Sequence, residues 1–127
     1  MNPVDAPVQV FVVDDDESVR RSLTRLLRAA GYEAMGFASA EAFLRCARLS
    51  SAPGCVLLDI TMPHVNGLEL MKRMQDVGVR MPVIAVSASD DKESRVVARR
   101  VGATLFLGKP VDDRALLDAI AWVTGAR

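Results

Sequence analysis

The sequence is short of aromatic side chains, cysteine and lysine, and neither sign of charge is in surplus. Phe, Tyr and Trp make up 5% of 127 residues, so an aliphatic core is expected. Cys46 and Cys55 are too few and wrongly spaced for a metal cluster, and read as small hydrophobes of a reducing compartment. Sixteen basic side chains balance sixteen acidic ones, with no basic run, so direct nucleic-acid binding is not expected. No apolar run reaches the roughly 18 residues of a membrane span. The opening MNPVDAPVQ lacks the basic and apolar regions of a signal peptide. A cytoplasmic protein without membrane attachment is therefore expected. No G-x-G-x-x-G follows the first apolar run, which excludes a dinucleotide fingerprint.

Half of the chain is hydrophobic and a quarter is charged, the composition of an ordinary globular domain. The length suits one domain, 1–127, with its core over about 8–124. No internal repeat, low-complexity stretch or linker is read in it, and none of these residues is expected to form an output domain. Arginine outnumbers lysine thirteen to three, the lysines being Lys72, Lys92 and Lys109. A lysine kept against that bias is a candidate for a specific role.

Short apolar runs alternate with amphipathic stretches. The strands are expected at Gln9–Val13, Tyr32–Phe37, Cys55–Leu58, Pro82–Val86 and Thr104–Leu107. The helices are expected at Glu17–Ala30, Ser39–Leu49 (with Ser39 as cap), Leu68–Asp76, Asp90–Val101 and Asp112–Thr124. Gly31, Gly78 and Gly102 stand where helices would end. Five strand–helix units with continuous apolar strands predict an α/β fold. Its expected form is a doubly wound, five-stranded parallel sheet with helices on both faces.

Four of these strands run into polar residues: Asp14-Asp15, Asp59, Ser87 and Lys109. In an open α/β sheet the carboxyl ends of the strands are where ligands bind, so the fold would gather these residues at one edge. Taken singly, an aspartate after a strand is usually a helix cap, a serine there a loop residue, and a lysine solvated surface. Taken together they have a shared chemistry. Carboxylates 4 Å apart repel by about 4 kcal/mol per pair at an effective dielectric of 20, unless a cation intervenes. Lys109 supplies one positive charge. Oxygen ligands without His or Cys select a hard ion, Mg²⁺ or Mn²⁺, which keeps sites for water and phosphate. Metal, Lys109 and the Ser87 hydroxyl suit phosphoryl oxygens, and a carboxylate suits the role of acceptor.

The combination of VVDDD at 12–16, LLDITMPHVNG at 57–67, VIAVSA at 83–88 and KP at 109–110 resembles the response-regulator receiver domain of two-component signalling. The run FVVDDDESVRRSLTRLLRAAGYEAMGFASAEAFL is most similar to FixJ-like receivers of the LuxR-type regulator subfamily. The resemblance implies the flavodoxin-like strand order 2-1-3-4-5. It implies phosphorylation of Asp59 by a sensor histidine kinase phosphohistidine. It implies Mg²⁺ held by Asp15 and Asp59 directly, by Asp14 through water, and by the backbone carbonyl of Thr61. Ser87 and Phe106 match the switch pair, Lys109 the invariant lysine, and Pro110 a proline after a cis bond. The subfamily also implies that the chain is cut from a longer, DNA-binding regulator. Phosphorylation is then expected to draw Ser87 inward and let Phe106 swing from solvent. That would change the face built by the fourth helix, fifth strand and last helix, where Arg95, Arg99, Arg100 and Asp118 sit, and promote a homodimer or docking of an output domain.

Other residues carry less. His64 is expected to be an exposed loop residue, Asp16 a helix-start residue, Asp90-Asp91 and Asp112-Asp113 caps and first-turn acids, and Met71 and Met74 core. Trp122 fits burial or an interface equally. The enzyme alternative is a haloacid-dehalogenase-type phosphatase, whose Asp-x-Asp signature Asp14-Asp15-Asp16 nearly fits. It leaves Asp59 unexplained and lacks an acidic pair after a later strand. A degenerate receiver acting as a phosphorylation-independent binding module is opposed by the intact Asp59, Asp15 and Lys109.

Overall fold

The computed structural model describes residues 7–47, 53–61, 67–89 and 91–125. Its elements run β1 (Gln9–Val13), α1 (Glu17–Ala29), β2 (Glu33–Phe37), α2 (Ala40–Ala47), β3 (Gly54–Asp59), α3 (Gly67–Asp76), β4 (Val83–Ser87), α4 (Lys92–Arg100), β5 (Leu105–Gly108) and α5 (Asp113–Thr124). All four strand pairings are parallel, and the order is β2-β1-β3-β4-β5. This is the expected doubly wound sheet.

The two faces of the sheet have different cores, because successive strand residues point to opposite sides. Phe11, Val13, Val56, Leu58 and Val83 face a layer containing Phe43, Leu44, Leu70 and Met74, from α2 and α3. Val10, Val12, Cys55, Leu57 and Ile84 face Leu27 of α1 and Leu116, Ala119 and Ile120 of α5. The second layer is aliphatic, as composition predicts. The first is not, because Phe11, Phe37 and Phe43 form an aromatic cluster with centroids 5.5–6.1 Å apart. Met74 is buried and Met71 packs against the same layer. α4 lies beside α3. At Gly102, φ is +75°, and an added Cβ would come within 2.8 Å of the Met71 methyl. Glycine there allows both the helix stop and the close approach.

Three helices start on aspartate caps. Asp16 accepts from the amides of Ser18 and Val19, Asp91 from Ser94, and Asp112 from Ala115. The Ser39 hydroxyl accepts from the Ala42 amide at 3.2 Å, as a cap of α2 should. α1 stops one residue before the expected Ala30, and α4 one before Val101. Leu49, His64 and Asp90 lie outside the described residues. Trp122 is on the outside of α5, 59% exposed. No helix among the described residues is long and apolar enough to cross a membrane.

Candidate functional site at the carboxyl edge of the sheet

The register brings the polar strand ends level. Val13 pairs with Leu58, Asp59 with Val86, and Ser87 with Gly108. Asp14 follows Val13 at the end of β1 and Lys109 follows Gly108 at the end of β5, so four polar groups reach one edge.

Asp14 and Asp59 are buried, at 3% and 4% exposure, and Ser87 is fully so. Two buried carboxylates this close are tolerable only with strong donors. Lys109 Nζ donates to both, at 2.8 Å to Asp14 Oδ2 and 3.1 Å to Asp59 Oδ2. The Asp16 amide donates to Asp14 Oδ1 at 2.9 Å, and the Thr61 amide to Asp59 Oδ1 at 2.8 Å, joined there by the Thr61 hydroxyl. Burial alone would raise the Asp59 carboxyl. The hydrogen bonds from Thr61 and Lys109 outweigh it and hold the group below the usual carboxylate value. Burial likewise favours loss of the Lys109 proton, but hydrogen bonds to Asp14 and Asp59 hold it above the ordinary lysine value. The Lys109–Pro110 peptide is cis.

Asp15 is exposed at the mouth, and one carboxylate oxygen from each of Asp14, Asp15 and Asp59 lies within 4.8 Å of the others. Octahedral ligands at 2.0–2.1 Å stand about 3–4 Å apart, so small side-chain rotations fit this all-oxygen set to Mg²⁺. The formal charges of three carboxylates against one ammonium also leave an excess of two negatives for a cation.

The Ser87 hydroxyl accepts from the Ser89 amide at 3.1 Å, and the Lys109 amide donates to the Ser87 carbonyl at 2.7 Å. Phe106 of β5, paired with Ala85 of β4, is half-buried rather than open to solvent. The Arg95 guanidinium covers its ring. Beside Lys109 and Pro110 opens a cleft of about 530 Å³, walled by Val19, Leu23 and Leu26 of α1. Sequence reading missed this cleft, because it joins residues more than eighty positions apart.

Asp14, Asp15, Asp59, Ser87 and Lys109 thus share one edge, with Phe106 farther back along β5. Residues 10–121 match the family described as the response regulator receiver domain. The chain belongs to the response-regulator receiver family. Receiver domains are switches of two-component systems, which work with histidine kinases and output domains and bind Mg²⁺ through acidic residues. This receiver is 43% identical over 111 residues to the transcriptional regulatory protein TdiR of Thauera aromatica, covering 87% of this chain and 48% of that protein. It is 40% identical over 111 residues to the transcriptional regulatory protein FixJ of Azorhizobium caulinodans, covering 87% and 52%. The crystal structure of FixJ-N superposes with a TM-score of 0.82 at 32% identity, covering 94% of this receiver and 95% of that chain. The receiver spans about half the length of the curated relatives it matches.

Proposed function

We propose that this receiver takes a phosphoryl group on Asp59 from a histidine kinase phosphohistidine and changes its α4–β5–α5 face in response. The observation that carries the reading is Lys109 Nζ bridging Asp14 and Asp59 beside the open carboxylate of Asp15.

The chemistry follows from the residues. An Asp59 oxygen attacks phosphorus; the O–P bond forms as the N–P bond to the donor imidazole breaks, and that nitrogen leaves with the electron pair. Asp59 is held anionic by Thr61 and Lys109, so the nucleophile needs no base. Lys109 can follow the charge from the carboxylate to a phosphoryl oxygen, since its compact ammonium sits on a flexible stem. Mg²⁺ (or Mn²⁺) would be held by Asp15, Asp59 and the Thr61 carbonyl, with Asp14 acting through water, and would neutralise phosphoryl charge. The cleft has apolar walls from α1 and shares Lys109 with the acceptor site, which suits docking of a helix bearing the donor histidine.

The Ser87 hydroxyl accepts from the Ser89 amide and keeps its own proton, which it can donate to a phosphoryl oxygen by moving toward Asp59. That motion vacates space beside β4 and β5 for Phe106. Differential contacts of this kind bias a two-state element. The changed face would then pair with a second copy or an output domain, which fits relatives that are transcriptional regulators about twice as long.

The test is to incubate with acetyl phosphate and Mg²⁺ and to map the modified peptide. The label is expected on Asp59 and absent from Asp59→Asn. Label on Asp14, Asp15 or Ser87 overturns the assignment. Hydrolysis of many equivalents of a free phosphomonoester would favour the phosphatase alternative.

A further inference from the structure

Arg20 on α1 is not among the acidic, hydroxyl and lysine groups assigned above, yet it reaches the same turn. Its Nη1 donates to the backbone carbonyl of Asp14 at 2.8 Å. The Asp14 amide donates to the Phe37 carbonyl at 3.0 Å, its Oδ1 accepts from Asp16, and its Oδ2 from Lys109. Every polar group of Asp14 is therefore engaged, and the carbonyl that joins Asp14 to Asp15 is held by a long side chain.

The stem of Arg20 lies over Gly36. A Cβ at that position of β2 would stand 3.4 Å from both Cβ and Cδ of Arg20. A Cβ alone would already touch the arginine stem, so a larger side chain at this position of the edge strand would crowd it. The Arg20 guanidinium emerges at the carboxyl edge of β1. The planar fork gives a directed donor from a stem already fixed by packing.

We propose that Arg20 is a positioning residue for the metal-binding turn: it fixes the Asp14–Asp15 peptide, and Gly36 gives it the room to do so. The proposal rests on the phosphoacceptor reading for the purpose of the turn, not for the existence of the clamp. Electrostatics and positioning predict opposite signs. Removing a positive charge beside three carboxylates would tighten a divalent cation, by lessening competition for the acids. Removing a clamp would weaken it, because the carboxylates must be ordered at the moment of binding.

The experiment uses Arg20→Met, which keeps a stem over Gly36 and loses the donor, and Gly36→Val, which a strand tolerates but which crowds the stem. Mg²⁺ alone is titrated by calorimetry into wild type and each variant. Amide exchange of Asp15 and Asp16 is followed without metal. Both variants should bind Mg²⁺ roughly three- to ten-fold more weakly, the net value of one ordinary hydrogen bond. The double variant should be no weaker than Arg20→Met, since the two act through one contact. Exchange at Asp16 should speed up while that of the β3 amides does not. The acetyl phosphate reaction should need more Mg²⁺ for half its maximal rate and reach the wild-type rate at saturation. Unchanged or tighter Mg²⁺ in Arg20→Met overturns the proposal, and so does additive weakening in the double variant. If Arg20→Met does not fold, Gly36→Val alone decides by the same readouts. A wild type that binds no Mg²⁺ overturns the site reading itself, and the clamp's proposed purpose with it.

Discussion

The guanidinium of Arg95 lies over the ring of Phe106, 4.9 Å from its centroid. One belongs to α4 and the other to β5, so the contact ties a helix to the residue proposed to move. A cation over an aromatic face at an exposed site stabilises by about 0.5–1 kcal/mol. If Phe106 turns inward on phosphorylation, that contact is lost, and Arg95 opposes the active arrangement.

Arg95→Gln should therefore tighten binding of beryllofluoride, which mimics the phosphoryl group, by roughly two- to five-fold. Titration in the presence of Mg²⁺ measures it directly. An affinity equal to that of wild type would remove Arg95 from the switch.

Asp15→Asn keeps the shape of the turn and removes the exposed carboxylate. Mg²⁺ binding should fall below detection in a millimolar titration, and labelling by acetyl phosphate should fall with it. Thermal stability should stay within about 0.5 kcal/mol, the usual range for a surface substitution. Full labelling of this variant at low Mg²⁺ would refute the metal role.

Lys109→Arg keeps the charge and replaces a compact ammonium with a wider fork. Lys109 Nζ fits between two buried oxygens at 2.8 and 3.1 Å. The variant should label slowly and fail to convert label into a changed α4–β5–α5 surface. Amide exchange of that surface, with and without beryllofluoride, reads the second defect. A wild-type response from the arginine variant would show that charge alone suffices.

Cys55 is fully buried, and burial pushes its thiol up to about 12, whereas Cys46 is partly exposed. At pH 8 a disulfide reagent should modify Cys46 quickly and Cys55 only on the timescale of opening. The raised folded-state value also has a sign for stability. The thiol's contribution is complete below its unfolded value near 9 and is lost as pH rises from there toward 12. Wild type should lose up to about 1.4 kcal/mol per pH unit more than Cys55→Ala above pH 9. Parallel stability curves for the two proteins would contradict this.

The strand ends were legible where an apolar run meets a polar residue, which burial tolerates only beside the donors gathered at the carboxyl edge. Asp14, Asp59 and Ser87 mark such limits, and β1 falls on its expected residues, Gln9–Val13. Helix starts were legible where an aspartate could cap, at Asp16, Asp91 and Asp112. β5 was less so: expected at Thr104–Leu107, it runs Leu105–Gly108, an edge strand whose half-buried side chains give weaker contrast. The aromatic cluster was hidden because a percentage says nothing about clustering, and Phe11, Phe37 and Phe43 meet only through the sheet register. Arg20 was hidden for a different reason. Its partner is a main-chain carbonyl, which every residue has, and the trace left in sequence is a glycine in the middle of a strand at 36.

Trp122 is the single tryptophan, and it stands exposed on α5. It is nine residues beyond Asp113, about 14 Å along the helix from the end nearest the acidic edge. Its emission therefore has little to report when Mg²⁺ enters among the aspartates. A partner that covers α5 would take the indole out of water and shift the emission to the blue. The indole is thus an intrinsic optical probe that would answer to a partner on α5 and hardly at all to a cation at the acidic edge.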